Sequence, residues 1–113
     1  MRNLVKKISV DYLGHEYIIS IPRLLIDLTG DWTLAAMLNQ LLYWSEKKEW
    51  IYKSLDDWNL ELGAVSRHKM NQLKRFPFIE TKIMRANGSP TTHYRIDEDI
   101  LKQELLKCAD GIY

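Results

Sequence analysis

Two serine-capped helix signals with a glycine between them constrain this chain more than any other feature. Ser54 can cap a helix over Leu55 to Leu62, with Asp57 three residues on in the reciprocal capping position, and Gly63 ends it. After Ala64 and Val65, Ser66 caps a second helix to about Arg75. Two helices joined by so few residues, one of them glycine, form the helix-turn-helix pattern. Phe78 to Arg85 and Thr91 to Asp97 are extended runs around Ala86-Asn87-Gly88-Ser89-Pro90, and Asn-Gly between alternating segments is a strong hairpin signal. On that hairpin Ile79, Ile83, Tyr94 and Ile96 share the packed face, while Lys82 and Arg95 point the other way.

The other elements follow from capping and periodicity. Leu4 to Val10 and Glu16 to Ser20, rich in Ile, Val and Tyr around Gly14, predict a short hairpin or one ragged strand. Ser20 can cap a helix that tolerates Pro22 in its first turn, is lined by Leu24, Leu25 and Leu28, and is closed by Gly30. Asp31 caps a longer helix to about Lys47, in which Trp32, Leu34, Met37, Leu38, Leu41, Leu42 and Trp44 cover most of the circumference, so it belongs mid-fold. Trp50 to Lys53 reads as a short strand. Asp97 to Cys108 reads as a last helix, with acids Asp97, Glu98 and Asp99 at its positive end and Lys107 near its negative end. The expected class is α+β: one winged helix-turn-helix domain over residues 1–113, its core about 20–97, with an extra N-terminal strand segment and a C-terminal helix. A chain of 113 residues is long enough for one real core.

Charge is distributed unevenly along this order. From Ser66 to Arg95, seven cations (Arg67, Lys69, Lys74, Arg75, Lys82, Arg85 and Arg95) face the single acid Glu80, about +6 in a chain whose total is +1. Basic charge so concentrated suits a polyanion, and its place on a helix-turn-helix narrows the polyanion to nucleic acid. On the second helix Met70 and Leu73 share an inward face, which turns His68, Asn71, Gln72 and Arg75 outward as one stripe. Asn and Gln can pair bidentately with adenine and Arg with guanine. Ser66, Arg67 and Lys69 sit by the helix N-terminus, where phosphate is held by side chains and backbone N–H groups. Lys82, Arg85, Asn87 and Arg95 add the hairpin's share.

Other constellations point nowhere comparably specific. Ser66-Arg67-His68-Lys69 matches the Ser-x-x-Lys of penicillin-recognising enzymes, but neither Ser-Asp-Asn nor Lys-Thr-Gly accompanies it, and helix capping explains Ser66. His15, His68 and His93 have no ligand spacing with Cys108 or the acids, so no metal is expected, and no glycine-rich phosphate loop calls for a cofactor. Adjacent Asp56 and Asp57 face different ways on a helix. Trp32, Trp44, Trp50 and Trp58 could stack on single-stranded bases, but each falls in an apolar rhythm that core packing explains better. No enzyme is expected. The lone Cys108, the absence of a signal peptide and an apolar run broken by Asn39 and Gln40 fit a cytoplasmic protein without a membrane span.

In Ile21-Pro22-Arg23-Leu24-Leu25, Leu38-Asn39-Gln40-Leu41-Leu42-Tyr43-Trp44, Trp50-Ile51-Tyr52-Lys53-Ser54 with Trp58, and then Ser66, Leu73 and Tyr94-Arg95-Ile96-Asp97, the chain resembles the winged helix-turn-helix domains of phage and plasmid replication initiators and of DnaD-like replisome organisers of low-GC Gram-positive bacteria and their phages. The likeness covers roughly residues 20–97, mostly at core positions; the Gly63-Ala64-Val65 loop departs from the usual Leu-Gly-Leu-Ser turn. It implies a phage or mobile-element protein that binds double-stranded DNA in replication initiation or transcriptional control. The alternative is a module that docks a replication, regulatory or nuclease protein without reading DNA sequence. Leu101, Leu105 and Cys108 line one side of the last helix and serve either as a homodimer seam or as packing against the same chain.

Overall fold

The computed structural model describes residues 2–14 and 19–112. It is an α+β architecture with six α-helices and a three-stranded antiparallel sheet among those residues. The N-terminal segment corrects an expectation: instead of a strand, α1 (Arg2–Ile8) runs into a π-helical turn over Ser9–Leu13. Strand propensity expresses packing against a neighbouring strand, and this segment meets none of the three strands in register. Within the helix the Ser9 hydroxyl donates to the Val5 carbonyl at 2.8 Å. Of the other half of that expectation, residues 15–18 lie outside the described residues, and Ile19 and Ser20 are in no regular element.

Helix α2 (Arg23–Thr29) starts later than expected, directly after Pro22, with no side-chain cap. Ser20 has a different task, its carbonyl accepting from Asn39 Nδ2 at 3.1 Å. Gly30 closes α2 in the left-handed conformation (φ 74°) that a Cβ disfavours, its N–H donating to the Ile26 carbonyl. Asp31 then caps α3 (Trp32–Ser45), its Oδ2 accepting from the Leu34 N–H at 2.9 Å. This helix forms the centre of the molecule through Leu34, Ala35, Met37, Leu38 and Leu41, all buried. Trp32 departs from the expectation and is 71% exposed. At 100° per residue it falls with Tyr43 on the side away from the Leu34–Leu38–Leu41 stripe.

From α3 the chain forms β1 (Ile51–Tyr52), α4 (Leu55–Leu62), α5 (Arg67–Leu73), β2 (Ile79–Ala86), β3 (Ser89–Ile96) and α6 (Glu98–Ile112). The sheet order is β1-β3-β2, so both strands flanking the α4–α5 pair hydrogen-bond to β3. Asn87 (φ 52°) and Gly88 (φ 80°) make the two-residue hairpin turn, the double positive φ that an Asn-Gly type I′ turn requires. Pro90 opposes Arg85, one step beyond the hydrogen-bonded Ala86–Ser89 pair, so its missing N–H faces away from β2. On that side β1 reaches only as far as the Lys53 N–H to Thr92 carbonyl bond, and the proline breaks no ladder. Ile79, Tyr94 and Ile96 are buried as expected, whereas Ile83, further toward the turn, is 64% exposed because the hairpin outruns the core.

Trp58, Tyr94, Phe78 and Leu73 join the α3 residues in one core. Leu101 is buried in it and Leu105 packs against it, with α6 lying on α2, so the stripe on α6 packs against its own chain. Burial pushes the Tyr94 hydroxyl pKa up. Beneath Trp44 and Trp58 lies the buried ammonium of Lys53 (5% exposed), ion-paired with Glu61 of α4.

Candidate functional site

The α4–α5 turn is tied by a side chain rather than by the glycine alone. Gly63 (φ 89°) donates to the Asn59 carbonyl, and the Asn59 amide then spans the loop, accepting from the Val65 N–H at 2.7 Å and donating to the Val65 carbonyl at 3.0 Å. Ser66 caps α5, its hydroxyl accepting from the Lys69 N–H. With Met70 and Leu73 buried beneath, the rotation of α5 about its axis is set. Arg67, His68 and Asn71 project from it, exposed. The helix ends at Leu73, sooner than expected; Arg75 follows in a turn in which its N–H donates to the Gln72 carbonyl, and its side chain is exposed. Arg85 and Asn87 are exposed on the hairpin, Asn87 at its tip.

Four expected members stand differently. Lys69 is ion-paired at 2.9 Å with Asp31, the capping carboxylate of α3, so its charge is spent on docking α5 to α3. Gln72 is half-buried with its Oε1 enclosed and unpartnered, so it cannot present the donor and acceptor together that bidentate adenine pairing requires. Arg95 is held by Glu49 at 3.0 Å and Glu80 at 2.9 Å, carboxylates that raise its pKa further. Lys82 does lie on the outer face of the hairpin, where its ammonium sits 3.9 Å over the Trp50 ring. The structure therefore gathers Arg67, His68, Asn71 and Arg75 at α5, and Arg85 and Asn87 on the hairpin, as side chains with no hydrogen bond or ion pair to other described residues.

The Leu34 N–H, and then Lys69, hold the Asp31 carboxyl below its ordinary value of 3.8. A carboxylate depressed in the folded state stabilises fully above its unfolded pKa and loses that contribution as the pH falls through the folded one. Wild type should therefore lose stability on acidification through that range, and Asp31→Ala should lack this component while losing about 1 kcal/mol of capping at neutral pH. Urea midpoints of both proteins across the acid range measure it; parallel pH profiles would show that Asp31 carries none of the dependence.

Among the described residues no cluster of three His, Cys, Asp or Glu side chains is arranged to hold a metal ion, and no helix is long and apolar enough to cross a membrane. No family model, curated protein or solved structure matches the chain.

Proposed function

We propose that the chain is a DNA-binding winged helix of phage or mobile-element type that lays α5 in the major groove of a duplex and the Asn87-Gly88 tip near the backbone or minor groove, acting in replication initiation or transcriptional control. The observation that carries this is the presentation of α5: a short helix, fixed in rotation by Met70, Leu73 and the Asn59-bridged turn, displays Arg67, His68 and Asn71 without a side-chain hydrogen bond or ion pair to other described residues. Asn71 supplies an amide for adenine, and Arg75 and Arg67 supply guanidinium groups for guanine or phosphate.

Asn71→Ala should weaken binding to a selected site by ~1–3 kcal/mol and leave random duplex unaffected, because the side chain is exposed and lies outside the core. Selection from a random duplex library, followed by affinities for the selected site, measures this; no enriched motif with the wild type would end the base-reading role. Asp31→Asn is a complementary test, since asparagine caps a helix about as well while releasing Lys69. It should tighten duplex binding and steepen the logarithmic salt slope by about 0.9, one phosphate's worth; an unchanged slope would place Lys69 away from the DNA.

A protein-docking module is favoured by a different observation: Trp32 and Leu60 stand 71% and 87% exposed, where burial against a partner would be expected. Salt-insensitive association abolished by Leu60→Asp, together with no affinity for duplex, would replace the DNA assignment by this one.

A further inference from the structure

We propose that the outer face of the sheet and the adjoining end of α3 form a second nucleic-acid surface, one that takes single strands by base stacking. Aromatic rings and ammonium groups succeed one another along it. Lys47 lies 4.6 Å from the ring centre of Tyr43 and 5.4 Å from that of Trp44, and Lys48 bridges Trp44 at 6.0 Å and Tyr52 at 5.7 Å. Across the strand pair the Tyr52 ring lies 5.6 Å from that of His93, which is itself buried beneath the face, and Lys82, opposite His93 in the β2–β3 register, covers Trp50. Tyr43 is 48% and Tyr52 38% exposed, and a cavity of about 180 Å³ opens beside Trp44, Lys48, Tyr52 and Leu60.

The charge of this strip is available to a ligand. Of the carboxylates around it, three are engaged: Glu49 with Arg95, Glu61 with Lys53, and Asp57 with the Ser54 N–H. Lys47, Lys48 and Lys82 form no ion pair among the described residues, and the unpaired carboxylates nearby, Glu46, Glu98 and Asp99, line a separate cavity with Lys47 and Lys48 rather than the one beside Tyr52. Repeated rings interleaved with repeated cations match a polymer that carries a flat ring and a negative charge in every unit, which is a single nucleic-acid strand. An acidic peptide would use the ammonium groups but not a succession of rings, and a duplex offers no open base face to stack on. Each lysine now covers a ring that a base would occupy, and its flexible stem lets the ammonium move to the adjoining phosphate. The surface is formed by α3, β1 and the outer face of the hairpin, so it stands whether or not α5 reads duplex DNA.

Anisotropy of a labelled oligothymidine titrated with the full chain at low salt tests this, run beside the same titration with random duplex. Tyr52→Ala, and separately Lys48→Glu, should each weaken oligothymidine binding by roughly fivefold or more and leave duplex binding intact. Lys48 is exposed, so its variant retains the fold even if Tyr52→Ala does not. Arg67→Ala with Arg85→Ala should do the reverse, and a chain that binds oligothymidine through Tyr52 and Lys48 but never binds duplex would uphold this surface while ending the assignment to α5. Absence of oligothymidine binding, insensitivity to Lys48→Glu, loss through the Arg67 and Arg85 changes, or equal affinity for an oligoglutamate peptide would overturn it.

Discussion

Replacing Glu61 with Ala is expected to lower the unfolding free energy by about 3–5 kcal/mol, one of the largest effects of any single change outside the apolar core. The loss comes from what remains: the Lys53 ammonium, buried between the rings of Trp44 and Trp58, would keep its desolvation and lose its counter-charge. The indole faces offset part of it, roughly 0.5–2 kcal/mol by cation–π attraction. Changing both partners at once, Lys53→Met with Glu61→Leu, removes charge and counter-charge together and should return stability to about that of the wild type, because a buried pair roughly breaks even with apolar residues of similar size. Urea denaturation of the two variants decides it. A Glu61→Ala loss below about 1 kcal/mol would mean that water reaches Lys53 in solution.

Affinity for random duplex should fall steeply with salt, by a logarithmic slope of about −0.9 for each phosphate neutralised. Arg67, Arg75 and Arg85 are exposed cations that form no ion pair among the described residues, whereas Lys69 and Arg95 are already neutralised by carboxylates. The expected slope is therefore that of about three contacts, fewer than the basic count of the segment suggests. Charge reversal at Arg67 and Arg85 together should abolish measurable binding to random duplex at physiological salt. A flat salt dependence, or binding that survives the reversal, would exclude α5 and the hairpin as the phosphate-contacting surface.

Local chemistry was legible in the residues; long-range pairing was not. The α4–α5 turn and the Asn-Gly hairpin are marked by the glycines at their connections, and the caps at Asp31, Ser54 and Ser66 each rest on groups three positions apart; each is present in the structure. Lys69 with Asp31 and Arg95 with Glu49 join residues far apart in the chain, and nothing in the sequence around either cation marks it as already neutralised. The candidate site therefore looked more basic from the sequence than the folded surface is. The role of Asn59 is hidden for another reason: an asparagine inside a helix looks like solvated surface, and only the position of Val65 after the turn gives its amide two backbone partners. Hydrophobicity alone assigns Trp32 to the core, although its angular position on α3 separates it from the buried stripe. The N-terminal segment carried a strand-like composition without a strand to pair with, and composition alone did not decide it.

Because β1 and β2 both pair with β3, the helix pair between them is a closed loop pinned at both ends to one strand. The order of folding follows. Hairpin β2–β3 needs only the two-residue Asn87-Gly88 connection and can form on the scale of about 1–10 μs. The short β1 joins β3 through Ile51 and Tyr94, distant in sequence, and must wait for that loop to close at an entropic cost that grows slowly with its length. Formation of the hairpin is therefore expected to precede the docking of β1. Destabilising changes at the hairpin turn should slow folding, whereas those at Ile51 should mainly speed unfolding.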